Sequence, residues 1–190
     1  MDFQVANWFY NTFGNNKVIL TIAKVITHIG DVWSFVVILA VLLAIKKTRK
    51  LGIYATVTVL ITFCFNEYFL KLVVGRIRPF ESHPEFMSVL ELAGYDIPSG
   101  SSMASGHSTV TMCLAVCVFM FHKKIGIGTI ALSVICGLTR LVLCVHYLTD
   151  VLVGFAIGII FAVAIHYLIN LVYKKIKRKD IENENNRARN

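Results

Sequence analysis

The sequence predicts an all-α, polytopic membrane helix bundle, with five to six transmembrane helices and N-terminal interfacial helices. Of its 190 residues, 56% are hydrophobic, and the mean hydropathy of +0.69 is high for a water-soluble domain. The apolar residues also fall in long runs, and a helix needs about 20 such residues to cross a bilayer. The runs that approach or exceed this length are 32–45, 51–70, 108–121, 125–145 and 151–173.

The basic residues lie mostly between these runs or after the last one. The net charge of +8 includes four Lys or Arg in 46–50, two in 122–124 and five in 174–179. The positive-inside rule places these segments in the cytoplasm, where they can meet anionic headgroups. We therefore expect the bilayer, and not nucleic acid, as the partner. The loop 79–104 has acidic but no basic residues and is expected on the outer side of the plasma membrane.

Three segments divide the chain: an interfacial segment 1–30, a membrane domain 31–175 and a polar cytoplasmic tail 176–190, whose end is expected to be disordered. Within 17–29, apolar residues oppose Lys17, Lys24 and His28, which is typical of helices lying in the membrane interface. Gly30 and Asp31 predict a break before the next run. An alternative remains open, in which 17–45 forms one kinked crossing or two crossings.

The stretch KLVVGRIRP, residues 71–79, holds cations beside a span. Lys71 and Arg78 are seven residues apart and would share one face of a helix, with Arg76 pointing elsewhere. Pro79 marks the exit from that helix. Two cations on one face suit an anion with several oxygens, such as phosphate. The alternatives are cations that snorkel at a helix end, or a simple pair between Lys71 and Glu67.

The stretch MASGHST, residues 103–109, joins a polar loop to an apolar helix. Ser105 is predicted to cap that helix, and Gly106 would let an anion approach its free N–H groups. His107 then lies in the first turn, beside the anion. The alternative is a capped helix with an incidental histidine.

The stretch RLVLCVHYLTD, residues 140–150, carries three ionisable residues in an apolar setting. His146 and Asp150 are four residues apart and would meet on one helix turn. A carboxylate on one imidazole nitrogen leaves the other free to attack or to accept a proton. Arg140 would reach the same place only if a turn separates it from His146. The alternative is an ion pair at a helix end, although ionisable residues near the membrane usually have a function.

Together the three stretches resemble the signature of the type 2 phosphatidic acid phosphatase superfamily, which includes membrane lipid phosphatases and soluble vanadium haloperoxidases. The matching positions are Lys71, Arg78 and Pro79; Ser105, Gly106 and His107; Arg140, His146 and Asp150. Two positions depart from the family pattern. Ala104 replaces the usual proline and Thr139 replaces the usual serine, and neither change removes a reacting group.

The resemblance implies a role for each residue. His146 attacks phosphorus and forms a phosphohistidine, which Asp150 supports by orienting and charging the imidazole. His107 protonates the leaving oxygen and then activates water. Bound phosphoryl oxygens are stabilised by preorganised donors, which the resemblance assigns to Lys71, Arg78, Arg140 and the backbone at Ser105 and Gly106. No cofactor and no metal are expected.

The expected function is hydrolysis of a lipid phosphate or diphosphate at the outer leaflet, with undecaprenyl diphosphate or phosphatidylglycerophosphate favoured over phosphatidic acid and a lipid A phosphate. Phosphoryl transfer to another lipid or sugar would need the same residues and stays open. An intramembrane serine protease using Ser105 is disfavoured, because Met103 stands where a Gly-x-Ser-Gly motif has glycine. A transporter is disfavoured because the charges gather at one surface. The sequence does not decide the headgroup or the oligomeric state.

Overall fold

The structure, a computed structural model, describes the backbone of residues 1–189 and the side chains of residues 1–178. In this part of the chain it forms ten α-helices and no strand. Short 3-10 helices cover His28–Gly30 and Pro84–Phe86, and a π-helical segment covers Phe65–Leu70. The α-helices are α1 (Asp2–Phe13), α2 (Lys17–Thr27), α3 (Val32–Ala44), α4 (Arg49–Cys64), α5 (Lys71–Val74), α6 (Pro79–Ser82), α7 (Met87–Ala93), α8 (Gly106–Phe121), α9 (Lys123–Val142) and α10 (Leu148–Arg189).

Helix α8 lies at the centre of the bundle, with α4, α9 and α10 packed around it. Its residues from Ser108 to Cys117 are all buried. Helix α10 approaches α8 closely because it presents glycine there: a Cβ on Gly158 would lie 2.5 Å from the Thr109 carbonyl oxygen. Small residues allow such close helix contacts in membranes. The first turns of α8 and α10 are therefore held side by side.

The predicted all-α membrane bundle is confirmed. Three helices of the described part are long and apolar enough to cross a bilayer: Arg49–Ser82, Lys123–Val142 and Leu148–Arg178. A fourth candidate is the pair Lys17–Gly30 and Val32–Ala44, bent by 49°. Helix α8 is also apolar but shorter, with 16 residues. The count of five to six spans stays a prediction.

Helix α2 turns its most apolar side away from the protein. Leu20, Ala23 and Thr27 are buried, whereas Val18 and Val25 are 69% and 65% exposed. This outward face is suited to contact with lipid. Together, Lys17–Gly30 and Val32–Ala44 have the length and apolar composition of one kinked crossing, which is one of the alternatives that the sequence leaves open for 17–45. The interfacial assignment of 1–30 stays a prediction.

The helix predicted to run from residue 51 towards Pro79 is interrupted twice. After the π-helical segment and the short α5, Gly75 adopts φ 57°, a left-handed conformation that ends helices and that glycine adopts readily. Arg78 then has extended backbone angles. Lys71 and Arg78 therefore do not share a helix face, and this part of the sequence prediction is wrong.

The last helix is longer than the predicted span 151–173. Helix α10 continues through Arg189, so the expected disorder of the tail is not seen in the backbone up to that residue. The side chains of residues 179–190 lie outside the described part.

The two ends of the bundle differ in character. At one end, helix breaks occur at Gly30 and Asp31, at 65–78 and at 143–147, and the predicted site residues lie there. At the other end, the connection at Thr48 and the one at His122 border an apolar cavity of about 430 Å³. The basic segments predicted to face the cytoplasm flank these two connections.

Candidate active site

A cavity of about 560 Å³ opens at the end of the bundle where the helices break. Six predicted site residues line it: Lys71, Arg78, Gly106, His107, Arg140 and His146. Ser105 and Asp150 are fully buried next to these residues in the chain. The predicted convergence of three distant motifs on one place is therefore what the structure shows, although the helix-face argument for the first motif fails.

His146 lies in the link between α9 and α10 and is only 3% exposed. Its Nδ1 faces Asp150, with 3.7 Å to the Oδ2 atom, and its Nε2 borders the cavity near Arg78 Nη1 at 3.4 Å. The separation of 3.7 Å is too long for a good hydrogen bond. Ser102 fills the gap, because its Oγ lies 2.5 Å from Asp150 Oδ2 and 3.4 Å from His146 Nδ1. One ring nitrogen is thus directed at a carboxylate and the other at the cavity.

The predicted helix turn joining His146 and Asp150 does not exist, because α10 begins only at Leu148. The pair forms between the link and the first turn of α10. The backbone N–H of Tyr147 donates to Asp150 Oδ2 at 2.8 Å, which holds the carboxylate under the link.

The protonation state of His146 follows from its burial. Burial lowers the pKa of His146; the neighbouring Asp150 carboxylate opposes this, but Arg140 and Arg78 lower the pKa further. The net pKa lies below the ordinary value of a histidine, so the ring is neutral at neutral pH. A neutral imidazole has the free lone pair that a nucleophile needs.

Asp150 is fully buried and accepts hydrogen bonds on both oxygens. Arg76 Nη1 donates to Oδ1 at 2.6 Å, while Ser102 and the Tyr147 N–H occupy Oδ2. A buried carboxylate needs partners of this kind. Arg76, predicted to point away from the phosphate-binding face, does not line the cavity and is the charged partner of this carboxylate.

Arg78 is 3% exposed, and most of its donors are used by nearby backbone. Nε donates to the Gly100 carbonyl oxygen at 2.8 Å, Nη1 to that of Val145 at 3.1 Å and Nη2 to that of Ser99 at 3.1 Å. The guanidinium thereby joins the loop before α8 to the link that carries His146. It sets the shape of the cavity wall as well as its charge.

Arg140 is 2% exposed and comes from the last turn of α9. Its Nη1 donates to Thr27 Oγ1 at 2.7 Å and to the Tyr95 hydroxyl at 2.8 Å. Its Nε is buried and has no partner in the described residues. An unpaired buried donor costs about 1–3 kcal/mol. Arg140 also lines the cavity, so its guanidinium adds positive charge to the cavity wall.

Lys71 pairs with Glu67 at 2.8 Å, as one of the sequence alternatives stated. The same carboxylate lies against the start of α8, since a Cβ on Gly106 would be 2.9 Å from Glu67 Oε1. A helix N-terminus favours negative charge. Glu67 thus lies close to the place where the sequence predicts a phosphate.

Ser105 caps α8, as predicted: its Oγ accepts from the Ser108 N–H at 3.4 Å and from the Ser108 hydroxyl at 3.0 Å. Its own N–H donates to the Asp150 carbonyl oxygen at 3.1 Å. The backbone of Ser105 is therefore not free for phosphate, contrary to the prediction. The next two N–H groups, of Gly106 and His107, open the helix and have no partner within it.

His107 faces the cavity from the first turn of α8. Its Nε2 is 3.0 Å from Asp31 Oδ1, and Asp31 Oδ2 is 2.6 Å from His28 Nδ1. Gly30 lies against the ring, because a Cβ there would be 2.5 Å from His107 Cδ2. The break between α2 and α3 thus supplies both a carboxylate partner and close packing for this histidine.

The sequence model of the PAP2 superfamily matches residues 31–174. The chain belongs to the PAP2 superfamily. The Bacillus subtilis Undecaprenyl-diphosphatase BcrC is 25% identical over 161 residues, covering 84% of this chain and 80% of that protein. The Undecaprenyl-diphosphatase of Sulfolobus acidocaldarius is 28% identical over 130 residues, covering 68% of this chain and 60% of that protein.

A similar fold is found in the crystal structure of a transmembrane PAP2 type phosphatidylglycerolphosphate phosphatase from Bacillus subtilis. The TM-score is 0.65 at 21% identity, over 90% of this chain and 85% of that one. The likeness supports the membrane bundle described above.

This PAP2 protein accommodates both departures from the family pattern. Ala104 is fully buried, and its carbonyl oxygen accepts from Asn66 Nδ2 at 3.4 Å. The Thr139 hydroxyl donates to the Cys136 carbonyl oxygen within α9 at 2.6 Å. Neither residue presents a side-chain group to the cavity.

Sequence reasoning missed three contributors to the site of this PAP2 protein: Ser102, Arg76 and Asp31. Ser102 was one serine among several in a loop, and Arg76 was placed off the phosphate-binding face without a partner. Asp31 was read only as a helix break. In the described residues, no group of three or more His, Cys, Asp or Glu side chains is placed to hold a metal.

Proposed function

We propose that this PAP2 protein hydrolyses a polyprenyl diphosphate, held in the bilayer by its lipid chain, through a phosphohistidine on His146. Its membership of the PAP2 superfamily and its membrane helices establish the coarser statement, a membrane phosphatase. The finer substrate is supported by two relatives that are named undecaprenyl-diphosphatases. Phosphatidylglycerophosphate and phosphatidic acid are the substrates to compare with it.

The observation that carries the proposal is that Lys71, Arg140 and His146 line one cavity at the end of the bundle where the helices break. The positive charge of the Arg140 guanidinium would stabilise a phosphoryl oxygen bound there. Other oxygens would meet Lys71 and the N–H groups of Gly106 and His107, displacing the Glu67 carboxylate. Donors fixed before the substrate arrives stabilise charge most effectively.

The first chemical step then places phosphorus between His146 and the leaving oxygen. The lone pair of Nε2 forms the N–P bond while the bond from phosphorus to the leaving oxygen breaks. Asp150, with Ser102, lies on the Nδ1 side and stabilises the positive charge that the ring gains. His107 gives a proton to the leaving oxygen, and the Asp31 carboxylate beside its Nε2 stabilises the ring while it carries that proton.

The second step returns the enzyme to its starting state. His107, now neutral, takes a proton from water, whose oxygen attacks phosphorus and breaks the N–P bond. Phosphate leaves and His146 regains its lone pair. Dividing one displacement into two in this way lowers each barrier.

We also propose that the cavity faces the outer side of the plasma membrane and that the C-terminus is cytoplasmic. The support is the basic segments at the opposite end of the bundle, which the positive-inside rule places in the cytoplasm. A diphosphate headgroup of the outer leaflet would then lie at the level of the cavity.

The test is phosphate release by detergent-purified protein with EDTA present, from undecaprenyl diphosphate, phosphatidylglycerophosphate and phosphatidic acid. His146→Ala should abolish release and the phosphoenzyme, whereas the control His122→Ala, at the opposite end of the bundle, should stay within about twofold of wild type. Turnover that survives in His146→Ala would refute the mechanism. Release that requires an added lipid or sugar alcohol would identify a phosphotransferase instead.

The serine protease alternative has no support in the geometry. The Ser105 hydroxyl is fully buried and serves as the cap of α8. A fluorophosphonate probe is therefore expected to leave this PAP2 protein unlabelled.

A further inference from the structure

Arg76 connects the buried carboxylate of the site to the first helix of the chain. Its Nη1 lies 2.6 Å from Asp150 Oδ1, and its Nη2 lies 2.6 Å from Asp2 Oδ2. The guanidinium also stacks over the Tyr147 ring, 4.3 Å from its centre. A planar guanidinium can bind two carboxylates and stack at once, which an ammonium group cannot do.

Asp2 has a second connection to the same place. It accepts from the Thr149 hydroxyl at 2.5 Å and from the Thr149 N–H at 3.3 Å, and Arg76 Nη1 also donates to the Thr149 hydroxyl at 2.6 Å. Asp2 therefore lies at the N-terminus of α10, where helices favour negative charge. Burial by itself would raise the pKa of Asp2, but the hydrogen bonds from Thr149 and Arg76 outweigh it and lower the pKa. The carboxylate is ionised at neutral pH.

These contacts form a closed network of Asp2, Arg76, Thr149 and Asp150. Arg76 is absent from the lining of the cavity, so it does not face the place where substrate would bind. Arg76 contacts Oδ1 of Asp150, and the other oxygen of that carboxylate, Oδ2, faces Ser102 and His146.

We propose that Arg76 is a positioning residue for Asp150 and that Asp2 of α1 holds Arg76 in place. The inference rests on the proposed function, because positioning matters only if Asp150 serves His146. Occupation of Oδ1 by Arg76 directs Oδ2 towards Ser102 and Nδ1 of the histidine. Without the guanidinium, the buried carboxylate loses its only charged hydrogen-bond partner in the described residues and turns or takes up a proton.

The experiment measures kcat and KM for phosphate release by full-length protein carrying Arg76→Gln, Arg76→Lys or Asp2→Asn. Arg49→Gln is the control, since Arg49 lies at the opposite end of the bundle, where its Nε donates to the Leu43 carbonyl oxygen at 3.0 Å. We expect Arg76→Gln to lower kcat about 10- to 100-fold, the size of a lost charge-assisted hydrogen bond. KM should change less than about threefold, because no substrate contact is lost.

The graded variants separate positioning from mere structural support. Arg76→Lys should recover part of the lost kcat, and Asp2→Asn should lower kcat about 3- to 10-fold, since Arg76 keeps its direct bond to Asp150. In the Asp150→Asn background, Arg76→Gln should cause less than about a twofold further loss, because the group on which it acts is already altered. Thermal unfolding of each variant identifies any that fails to fold, and Asp2→Asn, a change at a partly exposed residue, keeps the test valid if Arg76→Gln does not.

Two results would overturn the inference. One is an equal loss from Arg76→Gln with and without Asp150→Asn, which would show independent action. The other is a raised KM with unchanged kcat, which would place Arg76 on the substrate. Failure of the proposed function looks different, because wild type would then release no phosphate from any of the lipids.

Discussion

Gly30→Ala should impair His107 without touching any reacting group. Gly30 ends the 3-10 helix between α2 and α3 and lies against the His107 ring. A Cβ at this position would be 2.5 Å from Cδ2 and 2.9 Å from Cγ of the ring. The ring is also held by the 3.0 Å contact between its Nε2 and Asp31 Oδ1, so the added methyl group must displace it from this contact.

The size of the effect follows from these distances. Non-bonded carbon atoms are most stable about 3.5–4.0 Å apart, so the ring must move by about 1 Å. A displacement of about 1 Å in a catalytic group can lower the rate about 100-fold. This corresponds to a barrier higher by about 2.7 kcal/mol.

The assay compares two substrates that differ in their need for an acid. The rate of the first step is measured in a single turnover, with a lipid phosphate whose alcohol is a poor leaving group and with 4-nitrophenyl phosphate. A general acid matters less as the leaving group improves, so the lipid should show the full loss and the nitrophenyl ester a smaller one. Gly128→Ala is the control, because a Cβ at Gly128 would meet nothing within 4 Å.

The reasoning would be refuted if Gly30→Ala behaved like Gly128→Ala. It would also be refuted if both substrates slowed by the same factor, because the displaced group would then not be the acid. A melting temperature close to that of wild type is needed for either conclusion.

Two further predictions concern the nucleophile. Ser102→Ala removes the hydroxyl that bridges Asp150 and His146 and should lower kcat about 10- to 100-fold, as expected for a hydrogen bond to a charged group. Ser102→Thr keeps the hydroxyl and should retain most activity. Full activity in Ser102→Ala would show that the bridge is dispensable. Because the pKa of His146 is lowered, its ring should remain neutral at pH 6, below the ordinary histidine value of about 6.5. In NMR spectra of ¹³C-labelled histidine, the signal that is absent from His146→Ala should not titrate between pH 6 and pH 8, and a midpoint of 6.5 or above would contradict the assignment.

Local features of the site could be predicted from the sequence. The cap of α8 depends on a few neighbouring residues, and Ser105 forms it as predicted. The family signature also identified residues that do converge on one cavity. Such features depend on spacing along the chain, which a sequence displays directly.

Features that depend on helix breaks could not be predicted in the same way. Lys71 and Arg78 were placed on one helix face because the helix was assumed to continue past Gly75, whose left-handed conformation redirects the chain.

Contacts between distant residues were beyond the reach of sequence reasoning. Asp31 meets His107 across 76 positions and Ser102 meets Asp150 across 48. No local pattern marks either pair. They follow from the packing of α8 against α10 and from the bend between α2 and α3.

The network of Asp2, Arg76 and Asp150 has a consequence for biogenesis. Its members come from the first helix of the chain, from the segment after α5 and from α10. Protein synthesis proceeds from the N-terminus, so Asp2 and Arg76 are made early, while the carboxylate that completes the site is made with the final helix. A nascent chain inserted only as far as α9 contains neither His146 nor Asp150. On the proposed mechanism, the chain stays inert towards the lipids around it until its last helix has entered the membrane.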